Sequence, residues 1–311
     1  MEILDFFTAP TIERSIVSIG MFDGVHEGHK VLLQQLKNMA REKSATSVIV
    51  TFPEHPLYTL MGEAPVSIVS WEKKLFLLDN MGIDVCLMLP FNHQVAHITA
   101  ESFLEKYLLN KFGMCGMVMG KNFRFGANGQ GDVNFLQQNS EKFQYDLKIL
   151  SLEEIPMRVS STQIRIAVSG GDMNKAQKML GRPFSLIGTV IHGKKRGRLL
   201  GFPTANMKLH HQLTPPQGVY WGQAKINNIN YIAVISIGKC ATFNDVEDIK
   251  IEIHYIGFSG DLYDSVLETE VWGTLREQKK FASKEELCQQ IQADIETAKQ
   301  KFATCCCRIA I

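Results

Sequence analysis

Apolar positions set two different rhythms along this chain. In the first half, short β-branched runs alternate with amphipathic stretches. Ser15–Ile19 reads as a strand that stops at Gly20, and Leu32, Leu36, Met39 and Ala40 then recur at helical spacing. Ser47–Phe52 is a continuous apolar run of the kind buried on both faces in a parallel sheet. A helix over Trp71–Met81, a strand at Val85–Leu89, a helix over Ala100–Asn110 and a short strand Met117–Met119 follow. This alternation predicts a parallel sheet with helices on both faces. Ligands bind such sheets beyond the C-terminal ends of the strands. Gly20–His29 and Gly120–Gly126 both lie at such ends.

Asp172 is placed to cap a helix through Leu180, which Gly181 and Pro183 then stop. The rhythm changes there, which predicts one domain over residues 1–183 and a second over 184–311. Phe184–His192, Gly218–Ile226 and Tyr231–Ile237 read as strands, with Asn227-Asn228 as a turn between the last two. In Lys250–Ile256, Ile251, Ile253 and Tyr255 alternate with Glu252 and His254. Successive strands with short turns predict an antiparallel sheet or small barrel, closed by a helix over Lys284–Phe302.

Composition narrows the class. The 311 residues are 45% apolar and 21% charged, as in an ordinary globular protein. Net charge is +1, from 33 basic and 32 acidic residues, which argues against a nucleic-acid-binding face. No segment approaches the roughly 20 apolar residues that span a bilayer, and Met1–Phe7 lacks the basic start of a signal peptide. The expectation is a cytoplasmic protein bound to neither membrane nor nucleic acid. Cys86, Cys115, Cys240 and Cys288 are isolated and read as small core thiols. Cys305-Cys306-Cys307 sits too far from the chain end for a prenylation box, with Arg308 in the position such a box requires, and reads as a frayed, oxidisable end.

The chemistry concentrates in a few segments. Gly201-Phe202-Pro203-Thr204-Ala205-Asn206 follows a glycine-spaced basic loop, His192 to Arg198. On an extended backbone Thr204 and Asn206 share a face, and their side-chain oxygens are hard donors of the kind Mg²⁺ accepts beside phosphates. Gly193 and Gly197 let the preceding loop offer backbone N–H groups to those phosphates. Far upstream, His26 and His29 fall three apart where a strand meets a helix N-terminus, with Gly24 and Gly28 allowing close approach. The plain alternatives are surface histidines or half a zinc site, and no Cys/His cluster completes the latter. Ser160-Ser161-Thr162-Gln163-Ile164-Arg165 reads both as a helix cap and as a phosphate-binding start. Gly120-Lys121-Asn122-Phe123-Arg124-Phe125-Gly126 interleaves basic and aromatic residues, which suits a ring with its phosphate or a loop that anchors two Phe in the core. Two unlike phosphate signals suggest an enzyme that uses ATP twice.

Taken together these segments resemble the bacterial bifunctional riboflavin kinase/FAD synthetase family, in order and over nearly the whole length. Gly20 to His29 matches its Gly-x-Phe-Asp-Gly-x-His-x-Gly-His motif, and Thr51-Phe52-Pro53-Glu54-His55-Pro56 its Thr-Phe-x-x-His-Pro segment. Gly120–Gly126, Ser160–Arg165 and Gly201–Asn206 match three more, and Ile251-Glu252 with Asp261-Leu262-Tyr263 matches its catalytic strand. The resemblance implies a Rossmann-like nucleotidylyltransferase domain followed by a β-barrel kinase domain with a C-terminal helix. It implies phosphorylation of riboflavin to FMN by ATP, then adenylylation of FMN to FAD with release of pyrophosphate. Glu252 matches the general base, and Thr204 and Asn206 the metal and phosphate ligands. His26, His29, Gly20, Phe22, Asp23, Gly28, Asn122, Ser161, Thr162 and Arg165 match the adenylyltransferase ATP site, and Gly193 and Gly197 the kinase loop.

One departure stands out. The family often carries Asn-Ile-Gly-x-x-Pro-Thr-Phe where this chain has Ser236-Ile237-Gly238-Lys239-Cys240-Ala241-Thr242-Phe243, and losing the proline frees that backbone. Two rivals remain for comparison. A flavin-sensing regulator would keep the fold without turnover. An aminoacyl-tRNA synthetase would share His-x-Gly-His, yet the chain lacks its Lys-Met-Ser-Lys-Ser-type loop.

Overall fold

The computed structural model describes residues 1–151, 159–193, 196–240 and 248–309. The chain forms two compact units, one of Met1–Val66 with Trp71–Ser161 and one of Ser67–Ser70 with Thr162–Ile311.

The first unit begins β1 (Glu2–Asp5), β2 (Ser15–Ile19), α1 (Glu27–Glu42), β3 (Thr46–Thr51), α2 (Pro56–Met61), α3 (Trp71–Asn80) and β4 (Val85–Met88). It continues through α4 (His93–Ala96), α5 (Ala100–Ser102, prolonged by a wider-wound helix over Phe103–Leu109) and β5 (Met114–Gly120). A short hairpin, β6 (Arg124–Phe125) and β7 (Gly131–Asp132), leads to α6 (Val133–Phe143) and β8 (Asp146–Leu150). The six long strands form one parallel sheet in the order β1-β4-β3-β2-β5-β8. Period-two alternation sorts its side chains. Val17, Val48, Val50 and Met117 enter the core on one face, and Ile16, Ile49, Cys86 and Val118 the core on the other. On α1 the buried residues are Gly28, Leu33, Leu36 and Ala40, so Leu33 rather than Leu32 takes the inward place.

From β2 the chain winds outward through β3 and β4 on one side and through β5 and β8 on the other. The direction reverses between β2 and β5, which are parallel neighbours. A reversal of this kind leaves a crevice at the C-terminal ends of the two strands. The segments after Ile19 and after Gly120 leave from those ends.

The second unit holds α7 (Ser161–Ser169, starting at the division), α8 (Met173–Leu180), β9 (Phe184–Ile191), α9 (Arg196–Leu199), β10 (Ala205–Leu209), β11 (Gly218–Ile226), β12 (Ile229–Cys240), β13 (Asp248–Tyr255), β14 (Val266–Arg276) and α10 (Lys284–Ile309). Asp172 caps α8 by accepting from the Lys175 N–H at 3.0 Å, and Gly181 ends it in the left-handed region at φ 66°. The strands close into an antiparallel barrel, β10-β13-β12-β11-β14-β9. Asn227 and Asn228 adopt φ of 50° and 64° in the two-residue turn between β11 and β12, as a tight hairpin requires. Met173, Ala176, Met179 and Leu180 are buried on α8, which lies against β9 and β14. Ile295 and Ala298 of α10 pack on Trp221, Val234 and Trp272, and Arg276 holds Asp294 in a two-pronged ion pair at 2.8–2.9 Å.

Candidate functional sites

The turn after β2 is strained. Phe22 and Val25 adopt positive φ of 48° and 38° and Gly24 one of 77°. A β-branched residue in that region is costly and persists where the surroundings enforce it. Phe22 and Val25 are both fully buried and supply that enforcement, so the Phe22 ring supports the turn from beneath and only its backbone is available to a ligand. Gly20 lies against the Phe22 ring, 3.4 Å from where its own Cβ would stand.

His26 is the N-cap of α1, and His29 lies in its first turn. Its Nδ1 accepts from the His29 N–H at 3.3 Å. The two rings stack with centroids 3.6 Å apart at 14°, and Phe22 meets His29 edge-on at 5.4 Å. The His29 Nδ1 is buried and makes no hydrogen bond. Burial first, then the neighbouring His26 and Lys74, hold the His29 imidazole well below its ordinary range, so it is neutral. The N–H groups at the start of a helix have no intrahelical acceptor and favour an anion. Asp23 is buried, and Ser161, the last residue of the first unit, donates to its carbonyl at 3.2 Å. Thr162 and Arg165 follow on α7, three residues apart and so on one helical face.

The loop after β5 does what its plain reading expected. Phe125 is buried and Phe123 stacks on it at 5.5 Å. Arg124 pairs with Asp132 across the hairpin at 3.2 Å. Asn122 and Lys121 stay exposed at the C-terminal end of β5. His55 caps α2 by accepting from the Leu57 N–H at 3.2 Å. The residue that sequence patterns missed is Lys74, whose ammonium lies buried under the turn.

In the second unit the glycine loop folds onto the Gly201–Asn206 motif. A Cβ on Gly193 would strike the Asn206 amide, and one on Gly197 would stand 3.1 Å from Thr204 Oγ1. Only glycine lets the backbone come this close to both side chains. The Phe202 N–H donates back to the Gly197 carbonyl at 2.9 Å. Lys194 and Lys195 lie outside the described residues. On β10 Asn206 stands directly across from Glu252 of β13, and side chains so paired lie on one face with Cβ atoms about 5 Å apart. The alternation read from β13 holds. Ile251, Ile253 and Tyr255 are buried, while Glu252 and His254 are half-exposed on the other face.

Glu252 Oε1 accepts from Lys250 Nζ at 2.7 Å, a neighbour that the motif does not announce. His254 Nδ1 lies 2.8 Å from the Pro203 carbonyl. A cavity of about 450 Å³ opens beside the motif, lined among others by Arg198, Thr204, Tyr255, Phe258, Asp261 and Tyr263. That volume suits a small-molecule ligand. The His192 and Tyr263 rings pack at 3.9 Å. Ser236 lies across from Glu252 on β12, whereas Ala241-Thr242-Phe243, where the family's proline is missing, lies outside the described residues. Of the isolated cysteines whose side chains are described, Cys86 is fully buried, and Cys115 and Cys288 are half-buried. Cys305 is half-buried as well, and the side chains of Cys240, Cys306 and Cys307 lie outside the described residues.

Two family models match the chain, FAD synthetase over residues 8–163 and riboflavin kinase over residues 180–302. A bifunctional riboflavin kinase/FMN adenylyltransferase of Haemophilus influenzae is 34% identical, over 94% of this chain and 95% of its own. Proteins of the same description from Bacillus subtilis and Escherichia coli are each 32% identical over 93% of both chains. A crystal structure described as a macrolide-efflux protein from Streptococcus pneumoniae is 30% identical and covers 95% of this chain with a TM-score of 0.86. Among the described residues here, no helix is long and apolar enough to cross a membrane. Both domains, matched in order and joined as they are in full-length relatives, place this chain in the bifunctional riboflavin kinase/FMN adenylyltransferase family.

Proposed function

We propose that the barrel unit phosphorylates riboflavin with groups around Thr204, Asn206 and Glu252, and that the sheet unit adenylylates the resulting FMN with groups around His26 and His29. The observation that carries this reading is the register that sets Glu252 directly across from Asn206, with Gly193 and Gly197 closed on the same motif.

In the first reaction Glu252 takes the proton of the ribityl 5′-hydroxyl as its oxygen bonds to the γ-phosphorus. The bond from that phosphorus to the β-bridging oxygen breaks, and ADP leaves. Glu252 must part from Lys250 to do so, and the pair is exposed enough to open at small cost, about 0–1 kcal/mol. Thr204 and Asn206 offer two neutral oxygens, and among the described residues no cluster of three or more His, Cys, Asp or Glu is present. That donor set fits Mg²⁺, which keeps phosphate and water ligands rather than an all-protein cage. The ion, bound there with ATP, would neutralise charge on the phosphates. The backbone around Gly193 and Gly197 orients those phosphates, and Arg198 lines the adjoining cavity.

In the second reaction an FMN phosphate oxygen attacks the α-phosphorus of ATP and pyrophosphate leaves, with no covalent enzyme intermediate. Gly20, Asp23 and Gly28 shape the turn, and the α1 N-terminus binds phosphate oxygens. The buried Nδ1 of His29 is a polar atom without a protein partner, as expected of a group kept for a ligand. Asn122 and Ser161 add ATP contacts within the sheet unit, and the match to the family's Ser-Ser-Thr-x-(Ile/Val)-Arg motif assigns Thr162 and Arg165 to ATP as well. Rate comes from positioning and charge stabilisation. Both reactions consume ATP, which supports a cytoplasmic enzyme.

The two activities separate when the chain is cut between Gly181 and Phe184. Thr204, Asn206 and Glu252 all lie beyond that cut, and His26, His29 and Ser161 before it. Residues 184–311 keep every barrel strand, while residues 162–311 also keep α8 over β9 and β14. Both fragments therefore make FMN from riboflavin and ATP but no FAD, and the longer one melts at the higher temperature. Circular dichroism with a riboflavin kinase assay checks this. A folded 162–311 fragment without kinase activity would show that the barrel borrows groups from the first unit.

A further inference from the structure

Lys74 is 6% exposed. A buried ammonium is costly unless it is paired and hydrogen-bonded. Its Nζ donates to the Phe52 carbonyl at 2.9 Å and to the Met21 carbonyl at 3.3 Å, and lies 3.4 Å from Thr51 Oγ1. The same ammonium stands 4.3 Å from the centre of the Trp71 ring. Met21 belongs to the strained turn after β2, and Thr51 and Phe52 end β3, its parallel neighbour. Thr51 Oγ1 in turn donates to the Met21 carbonyl at 3.3 Å. One cation therefore ties two adjacent strand ends at the crevice. A requirement for packing alone would be met by an apolar side chain of the same length.

In a planar trans peptide the carbonyl and the following N–H point in opposite directions. Holding the Met21 carbonyl toward Lys74 turns the Phe22 N–H away from it. We propose that Lys74 is a positioning residue for adenylyl transfer, its ammonium pinning the carbonyl side of the turn so that the turn's N–H groups and the His26/His29 pair face the ATP phosphates. This rests on the reading of Gly20–His29 as the ATP site.

The titratable groups facing Lys74 are Asp23 from the turn, His29 from α1 and Cys86 from β4. Burial lowers the Lys74 ammonium to about 8, against opposing contributions from Asp23 and Cys86. Burial pushes the Cys86 thiol up to about 11, so it is neutral at the pH of catalysis. The pinned turn is thus intact below a pH of about 8 and loosens as Lys74 loses its proton above it.

The test uses full-length Lys74→Met and Lys74→Arg, with FMN adenylylation and riboflavin phosphorylation measured on each preparation across the neutral and alkaline range. Wild-type adenylylation falls as pH rises through about 8. Lys74→Met lowers kcat/KM for ATP in adenylylation by about 10–100-fold, the value of a hydrogen bond to a charged group, and leaves riboflavin phosphorylation unchanged. Lys74→Arg recovers part of the rate and loses the fall near pH 8, because a guanidinium stays charged there. An unchanged adenylylation rate in Lys74→Met overturns the proposal. If Lys74→Met does not fold, a wild-type alkaline limb in Lys74→Arg overturns it instead. His29→Ala measured alongside separates two failures. Loss of FAD in His29→Ala alone removes the role of Lys74, whereas full FAD formation in both variants removes the ATP site itself.

Discussion

Glu252→Gln slows FMN formation from riboflavin by about 10²–10⁴-fold, the usual worth of a general base, and leaves FMN adenylylation at the wild-type rate. The amide keeps the size and the place across from Asn206 but cannot take a proton. The substitution also ends the ion pair with Lys250, which is an exposed contact worth about 0–1 kcal/mol. The barrel therefore stays folded, held by its closed strand ladder and by α10. Because both reactions are assayed on one preparation, adenylylation serves as the control for intact protein. FMN production equal to wild type would show Glu252 to be an ordinary outward-facing strand residue.

His29→Ala gives the opposite pattern, with FMN still formed and FAD formation reduced about 10²–10³-fold, as when one preorganised donor is removed. The ring lies at the start of α1, stacked on His26, with a buried Nδ1 that no protein group satisfies. The substitution has a second readout. The His29 pKa is lowered from its ordinary 6.5, so below about pH 6.5 the unfolded chain takes up a proton that the folded chain refuses. The contribution of neutral His29 to stability is present above that pH and lost as the pH falls. The variant accordingly shows less acid destabilisation than wild type in denaturant titrations. Pyrophosphate release from FMN and ATP at the wild-type rate would mark His29 as structural only.

The parts of the fold legible in sequence were those where burial is two-sided or a turn needs particular residues. Ser15–Ile19 is buried at every position, and Asn227-Asn228 and Gly181 occupy left-handed backbone. The missed strands are the ones with weak apolar contrast. Edge strands β1 and β8 are half polar, with Asp146 and Lys148 exposed. Strand β10 hides inside a ligand motif, and its Lys208 is exposed. Strand β14 carries Glu268 and Glu270 on one face and buries Thr269 on the other, so its alternation is not one of apolar against charged residues.

The sites followed the same division. His29, Thr204, Asn206 and Glu252 stood in recognisable spacings, and within the barrel the structure adds the pairing of Asn206 with Glu252 and the glycine loop closed on Thr204 and Asn206. Lys74 was illegible because a lysine on an amphipathic helix ordinarily points to solvent. Only the tertiary meeting of α3 with the ends of β2 and β3 buries it. Lys250 was equally silent, since its partner is two residues along the same strand.

The chain carries riboflavin to FAD through FMN, with ATP used in each step. Incubation of the full-length protein with riboflavin, ATP and Mg²⁺, followed by chromatographic separation of flavins over time, tests it most directly. FMN rises first and FAD follows at its expense, with ADP from the first step and pyrophosphate from the second. Riboflavin bound by the protein but recovered unchanged at every time would contradict it and would identify a flavin-sensing protein that kept the fold without turnover.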